Sequence, residues 1–395
     1  MTDTATLSAV RRGASPAITL LLAFACGLLA ANIYYAQPLA GPIGASLGLS
    51  PSATGLIVTL TQIGYGAGLL FIVPLGDLVE SRKLVRTRIV LAAAALAGAA
   101  LSTHPLPFFV AVLAIGLVST AAQVLVPYAA HLAPEAQRGR VVGNVMSGLL
   151  TGIMLARPVA SFIAQFASWH AVFFLSSCAM LLLALLLGAA LPPRQPGAAL
   201  RYGQLLGSMV QLLRAQRVLQ RRALYQAAMF GAFSLFWTTA PLRLAHEFHL
   251  SQAGIALFAL AGVAGAIASP IAGRLADAGH GRAATTMAMA CAITAFALTR
   301  IGAPGSVAAL AAMVAAGVVL DFGVTTNLVV GQRAIFALGA DIRSRLNGLY
   351  MAIFFCGGAL GSAFGAFAYA QGGWPATAWL GAALPLAALA FFATE

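Results

Sequence analysis

Long apolar runs and short polar segments alternate along almost the entire chain. Twelve of these runs are each close to the roughly 20 residues that an α-helix needs to cross a bilayer. They cover residues 17–40, 52–75, 85–102, 107–131, 141–166, 169–191, 223–242, 251–272, 283–299, 306–330, 346–369 and 374–393. The pattern therefore predicts an all-α membrane protein with twelve transmembrane helices.

The longest polar stretch, residues 192–222, divides these spans into six and six. We expect an N-terminal six-helix bundle over 1–191, a cytoplasmic linker over 192–222 and a C-terminal six-helix bundle over 223–395. Apolar residues recur at helical spacing in the linker, and arginines follow them, which predicts an amphipathic helix on the cytoplasmic surface. A disordered tether is the alternative. The apolar residues are Leu205, Leu206, Met209, Val210, Leu212 and Leu213.

Composition supports a membrane protein. Of the 395 residues, 61% are apolar and 8% are charged, and the mean hydropathy is +0.93; soluble domains carry roughly 25% charged residues. The formal net charge of +13 comes from bases in short segments between apolar runs. Bases placed in this way indicate membrane topology, so we expect a lipid bilayer as partner and no nucleic acid.

Two polar segments half a chain apart repeat each other. GDLVESRKLVRTR at 76–88 and GRLADAGHGRAAT at 273–285 each separate two apolar spans. Asp77 matches Asp277, and Arg82 matches Arg282 at the same offset. Further matches link RGRVVG at 138–143 to RSRLNG at 343–348. These matches predict two pseudo-symmetric six-helix bundles in parallel orientation.

Both segments resemble the loops between helices 2 and 3 and between helices 8 and 9 of the major facilitator superfamily. The later copy has the family's Gly, an Asp four residues on and Gly-x-Gly-Arg. The first copy departs from it, because Gly76 directly precedes Asp77. The resemblance implies the major facilitator fold and transport by alternating access. Gly148, Gly152 and Pro158 resemble the helix 5 signature of its drug–proton antiporters, although Arg157 stands where that signature has Gly.

The same resemblance implies a conformational gate at the cytoplasmic ends of the helices. Asp77 would face the N-terminus of helix 11 near Arg345 when the cytoplasmic side is closed, and Asp277 would face helix 5 near Val141. A carboxylate is favourable at a helix N-terminus. Ordinary solvated turns are the alternative. The expected gate residues are Gly76, Asp77, Arg82, Asp277 and Arg282.

Polar side chains concentrate in spans 1, 4, 7 and 10. Buried amides and acids need partners or water, so these four spans are expected to face a cavity, and Gln62 and Tyr65 of span 2 could also bind substrate. Hydrogen bonds between helices are the alternative to substrate binding. The candidate substrate-binding residues are Asn32, Tyr35, Gln62, Tyr65, Gln123, Gln226, Trp237 and Asn327.

Asp321 and Arg157 are expected to be the only ionisable groups inside the spans, and we expect them to couple transport to protons. An ionised carboxylate there is costly unless a cation pairs with it. Counting residues along the helices puts the two more than about 10 Å apart in depth, at 1.5 Å per residue. Arg157 could therefore contact Asp321, contact an anionic substrate or extend toward the outer surface. A structural hydrogen bond is the alternative role of Asp321.

These features predict a proton-coupled secondary transporter that exports a small amphipathic compound or drug. A proton-linked transporter of a small metabolite, such as a sugar or organic anion, is the alternative. A membrane enzyme or receptor is disfavoured, because the spans lack paired acids or a histidine cluster. ATP is not expected as the energy source, since GxxxxGK[ST] is absent. Neither cofactor nor metal is expected, and we expect a monomer.

Orientation follows from the distribution of bases. Of the 22 Lys and Arg residues, nineteen lie on the inside if the N-terminus is cytoplasmic. Arg243 and Arg300 lie outside, and Arg157 lies within a span. Because bases concentrate in cytoplasmic loops, both termini and the linker are predicted to be cytoplasmic, in a bacterial inner membrane.

Cysteine labelling in intact cells tests this topology. A membrane-impermeant reagent should label cysteines introduced at Ala303 or His246 and should spare one introduced at Gly197. Labelling of position 197 from outside would reverse the topology, and position 303 serves as the accessible control.

Overall fold

The computed structural model describes residues 15–192, 201–339 and 341–395, and these residues contain α-helices, short 3₁₀ turns and no strand. The all-α fold is therefore confirmed. The predicted cytoplasmic N-terminal segment and the labelling position Gly197 lie outside the described residues. The same holds for the side chain of Asp77.

The described residues of the first half form eight α-helices. The first two are joined by a bend of 42° and together correspond to the first predicted span. The helices are α1 Pro16–Ala31, α2 Ala36–Ser46, α3 Leu56–Phe71, α4 Ser81–Ala100, α5 Pro105–Ser119, α6 Ala121–Leu132, α7 Arg138–Phe166 and α8 Trp169–Ala190.

The second half follows a linker helix. The last helix is continuous in hydrogen bonding but breaks direction at Gly373, whose φ of 60° favours glycine. The helices are α9 Tyr202–Ala215, α10 Arg217–His246, α11 Gln252–Ala259, α12 Ala264–Asp277, α13 Gly281–Leu298, α14 Val307–Phe336 and α15 Arg343–Phe392.

Eight helical segments of the described chain are long and apolar enough to cross a membrane, or nine if α1 and α2 form one span. Helix α15 contributes only one of these because its two arms are joined at Gly373. Helices α4 and α10 each begin with several bases, which lowers their mean hydropathy. The multi-pass membrane architecture is clear, while the count of twelve spans stays a prediction.

Serine residues fix where several helices begin. The side chains of Ser15, Ser168, Ser251 and Ser306 each accept a hydrogen bond from the backbone N–H three residues later, at 3.2–3.3 Å. Each such cap satisfies a donor that the first helical turn leaves free and contributes about 1 kcal/mol. These serine caps lie in the short polar segments that separate the apolar runs.

Glycine allows a close crossing between equivalent helices in each half. A β-carbon on Gly152 of α7 would lie 2.1 Å from the carbonyl oxygen of Gly27 in α1. A β-carbon on Gly361 of α15 would lie 2.0 Å from the carbonyl oxygen of Gly231 in α10. Both distances are far inside van der Waals contact, so only glycine permits this backbone approach. Equivalent spans of the two halves thus use the same packing device.

The linker contains helix α9, where the sequence predicts an amphipathic helix. Its apolar residues Leu205 and Met209 are buried against the protein. The Tyr202 hydroxyl donates to the carbonyl oxygen of Phe71 at 2.7 Å, and Arg345 donates to Ser208 Oγ at 2.9 Å. Because Phe71 belongs to the first half and Arg345 to the second, α9 is bonded to both halves.

The glycine crossing gives a direct stability test. Gly152→Val should lower the thermal unfolding temperature, because overpacking costs about 1–3 kcal/mol and the opposing backbone cannot move aside easily. The matched control is Gly143→Val on the same helix, where a β-carbon meets nothing within 4 Å. Thermal unfolding of both purified variants in detergent measures the difference. Equal stability of the two would contradict the packing argument.

Candidate functional site

A cavity of about 670 Å³ lies between the two halves. Its walls include residues of α1, α3, α6 and α7 from the first half and α10, α14 and α15 from the second. We call the end where α4, α7 and α15 begin the basic end, because Arg82, Arg138 and Arg343 lie there. The cavity reaches this end, where Met146, Arg343 and Ser344 line it and are exposed.

At the opposite end the two halves are in contact. The hydroxyls of Thr59 and Ser362 are hydrogen-bonded at 2.6 Å, and Gln62 Nε2 donates to Ser234 Oγ at 2.6 Å. All four residues are buried. We call Thr59, Gln62, Ser234 and Ser362 the cross-half latch. The latch and the exposed mouth together define a conformation that is open at the basic end.

Asp321 borders the cavity from α14 and is 4% exposed. Its Oδ1 atom accepts a hydrogen bond from Trp237 Nε1 at 2.8 Å. Its Oδ2 atom lies 3.0 Å from the point that a β-carbon on Gly262 would occupy. A side chain at position 262 would therefore crowd the carboxyl group at its present place.

Arg157 reaches the same point. Its Nη1 atom lies 3.5 Å from the place that a β-carbon on Gly262 would take. Asp321 Oδ2 lies 3.0 Å from the same point, so the distance between Nη1 and Oδ2 cannot exceed the sum of these two distances. The expected separation in depth concerned positions along the helix axes and stays a prediction, whereas the long side chain of Arg157 brings its guanidinium near the Asp321 carboxyl group. The pair is not among the direct ion pairs within 4 Å that the described chain contains.

Aromatic rings surround the Arg157 guanidinium. Its central carbon lies 4.9 Å from the ring centre of Tyr34, 5.1 Å from that of Phe233 and 4.6 Å from that of Trp237. Its Nε donates to Gln37 Oε1 at 2.7 Å. Cation–π contacts of this kind stabilise a cation by about 0.5–2 kcal/mol each. The charge is thus held largely by ring faces and one amide.

Two further arginines are buried, which corrects the expectation that Arg157 is the only base inside the spans. Arg88 is 3% exposed and donates to Thr120 Oγ1 at 2.6 Å and to the carbonyl oxygen of Leu117 at 2.9 Å. Arg243 is 6% exposed and pairs with Glu247 at 2.7 Å. Neither arginine lines the cavity in this conformation.

Three of the candidate substrate-binding residues line the cavity. Gln123 Nε2 donates to the Tyr65 hydroxyl at 3.1 Å, and both side chains reach the cavity. Gln226 also lines it, and its Oε1 accepts a hydrogen bond from Asn327 at 2.7 Å. Each of these polar groups is therefore held by a neighbour while one part faces the cavity.

The other five candidates do not line the cavity in this conformation. Asn32 accepts a hydrogen bond from Ser176 Oγ at 2.7 Å, and Tyr35 lies beside it at the bend between α1 and α2. Gln62 belongs to the latch. Trp237 and Asn327 support Asp321 and Gln226 respectively. Of these five, Trp237 and Asn327 are hydrogen-bonded to residues that line the cavity.

Aromatic and sulfur-containing side chains form much of the remaining wall, and none of them was a candidate from the sequence. Phe230 and Phe233 lie one helical turn apart on α10, together with the nearby Trp237, and this spacing was the available signal. Stacked Phe354 and Phe355, 4.8 Å apart between ring centres, belong to α15. The lining residues of this kind are Tyr34, Met146, Met154, Phe230, Phe233, Phe336, Met351, Phe354 and Phe355.

The predicted gate residues whose side chains the structure describes make contacts within their own half. Arg82 donates to the carbonyl oxygen of Gly188 within the first half. Asp277 pairs with Arg333 within the second half, and Arg282 lies over the Phe392 ring at 5.4 Å. Gly76 approaches Val124. The contacts of Asp277 expected at the start of helix 5 belong to a closed basic end and stay a prediction.

Within the described chain, no group of three His, Cys, Asp or Glu residues could hold a metal ion.

Comparisons with known proteins agree with this architecture. The sequence model of the Major Facilitator Superfamily matches residues 20–335 and 222–395. The chain is 40% identical over 373 residues to the uncharacterized transporter YgaY of Escherichia coli O157:H7, covering 94% of each protein. It is 34% identical over 359 residues to the probable transporter SCO4007 of Streptomyces coelicolor, covering 90% of this chain and 82% of that one.

Two solved structures share the fold at low sequence identity. An inward-facing, unoccupied bacterial homologue of the human lysosomal transporter Spinster gives a TM-score of 0.75 at 14% identity, covering 99% of this chain and 97% of that one. The nucleoside transporter NupG gives 0.74 at 15% identity, covering 95% and 98%. At these identities the likeness concerns the fold alone. By its sequence over most of its length, this chain belongs to the Major Facilitator Superfamily and is a membrane transporter, not an enzyme.

Proposed function

We propose that this transporter is a proton-coupled secondary active transporter of a small amphipathic compound, in which Asp321 carries the proton and Arg157 is its counter-charge. The observation that carries the proposal is a carboxyl group, 4% exposed, in the wall of the central cavity. It is the only acid among the described residues that line this cavity. A buried ionisable residue in a membrane protein is a candidate for a proton pathway.

The cavity lining supports an amphipathic substrate. Phenylalanine and methionine side chains provide an adaptable apolar wall, and a few polar groups converge on one part of it. Met146, Met154 and Met351 are flexible enough to accommodate different shapes. Tyr65, Gln123 and Gln226 offer hydrogen bonds that can orient the polar end of a substrate.

The charges around Asp321 support a role in proton binding. Removal of its proton leaves a carboxylate that is stabilised by Trp237 Nε1–H and by the nearby guanidinium of Arg157. Addition of the proton removes the cost of a buried anion. Either state is therefore accessible, so the carboxyl group can take a proton on one side of the membrane and release it on the other.

Two directions of transport are compatible with this mechanism. The resemblance to drug–proton antiporters favours export of the compound in exchange for entering protons. Proton-linked transport of a small metabolite is the second candidate, and the positive charge of Arg157 at the cavity favours a substrate with an anionic group. With both termini in the cytoplasm of a bacterial inner membrane, as the bases predict, the cavity opens to the cytoplasm.

The cross-half latch supports alternating access. Closure of the basic end requires the two halves to separate at the opposite end, which breaks the Thr59–Ser362 and Gln62–Ser234 hydrogen bonds. Because these bonds form only in the conformation open at the basic end, they stabilise that conformation relative to the other one. A buried polar contact of this kind can be broken at a modest free-energy cost.

The latch gives a conformational prediction. Thr59→Val combined with Ser362→Ala should shift the population toward closure of the basic end, by roughly 2- to 10-fold for the loss of one hydrogen bond. Spin labels at the exposed positions Asn144 and Ala337 should then report shorter distances. The matched control is Thr151→Val, which removes an exposed hydroxyl bonded only within α7. An unchanged distance distribution in the double variant would remove the latch from the mechanism.

The proton site gives a transport prediction. In proteoliposomes with an imposed pH gradient, a panel of amphipathic cations, neutral compounds and anions first identifies a transported compound. Asp321→Asn should still exchange a neutral member of the panel across the membrane, because its cavity is intact, and should lose accumulation driven by the gradient. Glu135→Gln, which removes an exposed acid near the basic end, is the control and should retain it. Full gradient-driven accumulation by Asp321→Asn would contradict the proposal.

A further inference from the structure

Two buried hydrogen-bond donors beside the cavity have no partner. Arg157 Nη2 and Gln37 Nε2 are both shielded from solvent and unbonded within the described chain. They belong to adjacent side chains, because Arg157 Nε donates to Gln37 Oε1. A buried polar group left without a partner costs about 1–3 kcal/mol, and more when it is charged. Both groups are donors, so what the cluster lacks is an acceptor.

A third polar atom without a partner lies on the same helix face. Ser161 follows Arg157 by one turn of α7, is completely buried, and its Oγ has no hydrogen-bond partner among the described residues. Its hydroxyl can donate to an acceptor that Arg157 also binds. The cluster of Gln37, Arg157 and Ser161 is therefore richer in donors than its surroundings can satisfy. We call it the donor cluster.

The net charge of the site also favours an anionic ligand. Around the cluster, the described ionisable groups are Arg157, Asp321 and Tyr34, with Trp237 as a neutral donor. When Asp321 is ionised, it balances Arg157 and the site is neutral. When Asp321 is protonated, the site carries one positive charge. In neither state does the site attract a cation, and in the second it attracts an anion.

We infer that the substrate is an amphipathic organic anion whose head group binds the donor cluster through Arg157, and that anion and proton bind together. The inference rests on the proposed function in one respect, since it takes Asp321 as the proton site. A carboxylate or sulfonate matches the planar fork of a guanidinium and satisfies two donors at once. The phenylalanine and methionine wall receives the apolar body.

The binding site is closed around the guanidinium before the anion arrives. Tyr34 and Phe233 border both the cavity and Arg157. Because Nη2 itself has almost no solvent-accessible surface, an acceptor reaches it only when a covering side chain moves aside. The rings also replace bulk water around the charge, which strengthens any hydrogen bond formed there.

The sign of the coupling follows from competition for Arg157. An anion bound to Arg157 takes over the charge that otherwise stabilises the Asp321 carboxylate. Asp321 then holds its proton more tightly, so binding of the anion draws a proton from solution. By reciprocity, the proton raises the affinity for the anion by the same factor. Anion and proton consequently cross the membrane in the same direction, and an inward proton gradient would drive uptake.

Head-group preference is measured first. Probes share a phenylpropyl or naphthylpropyl body and carry a sulfonate, a carboxamide or a trimethylammonium head, so that their charge does not vary with pH. Binding to the purified protein is measured by calorimetry. The sulfonate should bind roughly tenfold or more tightly than either of the other two, as expected for a charge-assisted hydrogen bond. Equal or preferential binding of the trimethylammonium probe, or failure of every sulfonate to bind, overturns the inference.

Variants then assign the preference to Arg157. Arg157→Gln should abolish the preference for sulfonate, and Arg157→Lys, which keeps the charge without the fork, should restore part of it. The control is Arg140→Gln, which removes an exposed charge outside the cavity lining and should change the preference less than twofold. Size-exclusion profiles show which variants are folded. A preference that survives in folded Arg157→Gln, or that Arg140→Gln removes, contradicts the assignment.

Proton movement during binding separates this inference from the proposed function. In weakly buffered solution with a pH indicator, sulfonate binding should take up protons in the wild type and not in Asp321→Asn. Sulfonate preference without proton uptake would leave Arg157 as the anion site and overturn Asp321 as the proton site. Release of protons on binding of a cation, with gradient-driven transport intact, would overturn the anion inference and leave the proposed function standing.

Discussion

In the proposed mechanism, the organisation of this transporter depends on two buried ionisable groups, Asp321 and Arg157, whose side chains lie close together in the cavity wall. Taking each ion out of water costs several kcal/mol. Three structural elements share that cost: the α1–α2 bend supplies Tyr34, α2 supplies Gln37, and α10 supplies Phe233 and Trp237. Helices α7 and α14 carry the charges themselves. Because these elements belong to both halves, a change in one charge alters contacts between the halves.

The packing elsewhere divides the molecule into parts that stay fixed and parts that can separate. Backbone contacts at Gly27–Gly152 and at Gly231–Gly361 hold helices within each half at distances that no side chain permits. Contacts between the halves include hydrogen bonds such as Thr59–Ser362, the ring contact of Tyr65 with Phe355 and a close approach of Gly55 to Ser362. Rigid halves joined by contacts that can separate are what a rocking motion around a central site requires. The linker helix α9 is bonded to both halves and can follow such a motion.

The sequence predicts the fold and part of the site because hydropathy and rare charges are properties of single positions. Asp321 and Arg157 are conspicuous in apolar runs, and Tyr65, Gln123 and Gln226 follow from polar residues on cavity-facing spans. The positions of the Asn32 and Tyr35 side chains relative to the cavity could not be predicted from the sequence, because the 42° bend between α1 and α2 changes the direction in which side chains point. The proximity of Arg157 to Asp321 depends on how far a side chain extends from one helix toward another. Residue spacing along a single helix does not give this information.

The most direct test of the account is the protonation state of Asp321 as an anion binds, measured by infrared difference spectroscopy of the carboxyl C=O stretch. With the sulfonate probe, the wild type should gain a band of the protonated acid that is missing in Asp321→Asn and in folded Arg157→Gln. Such a result would show that the substrate anion and the Asp321 carboxylate compete for one guanidinium, so that anion and proton bind together. A wild-type spectrum in which sulfonate binds without any change at the Asp321 carboxyl group would contradict the account.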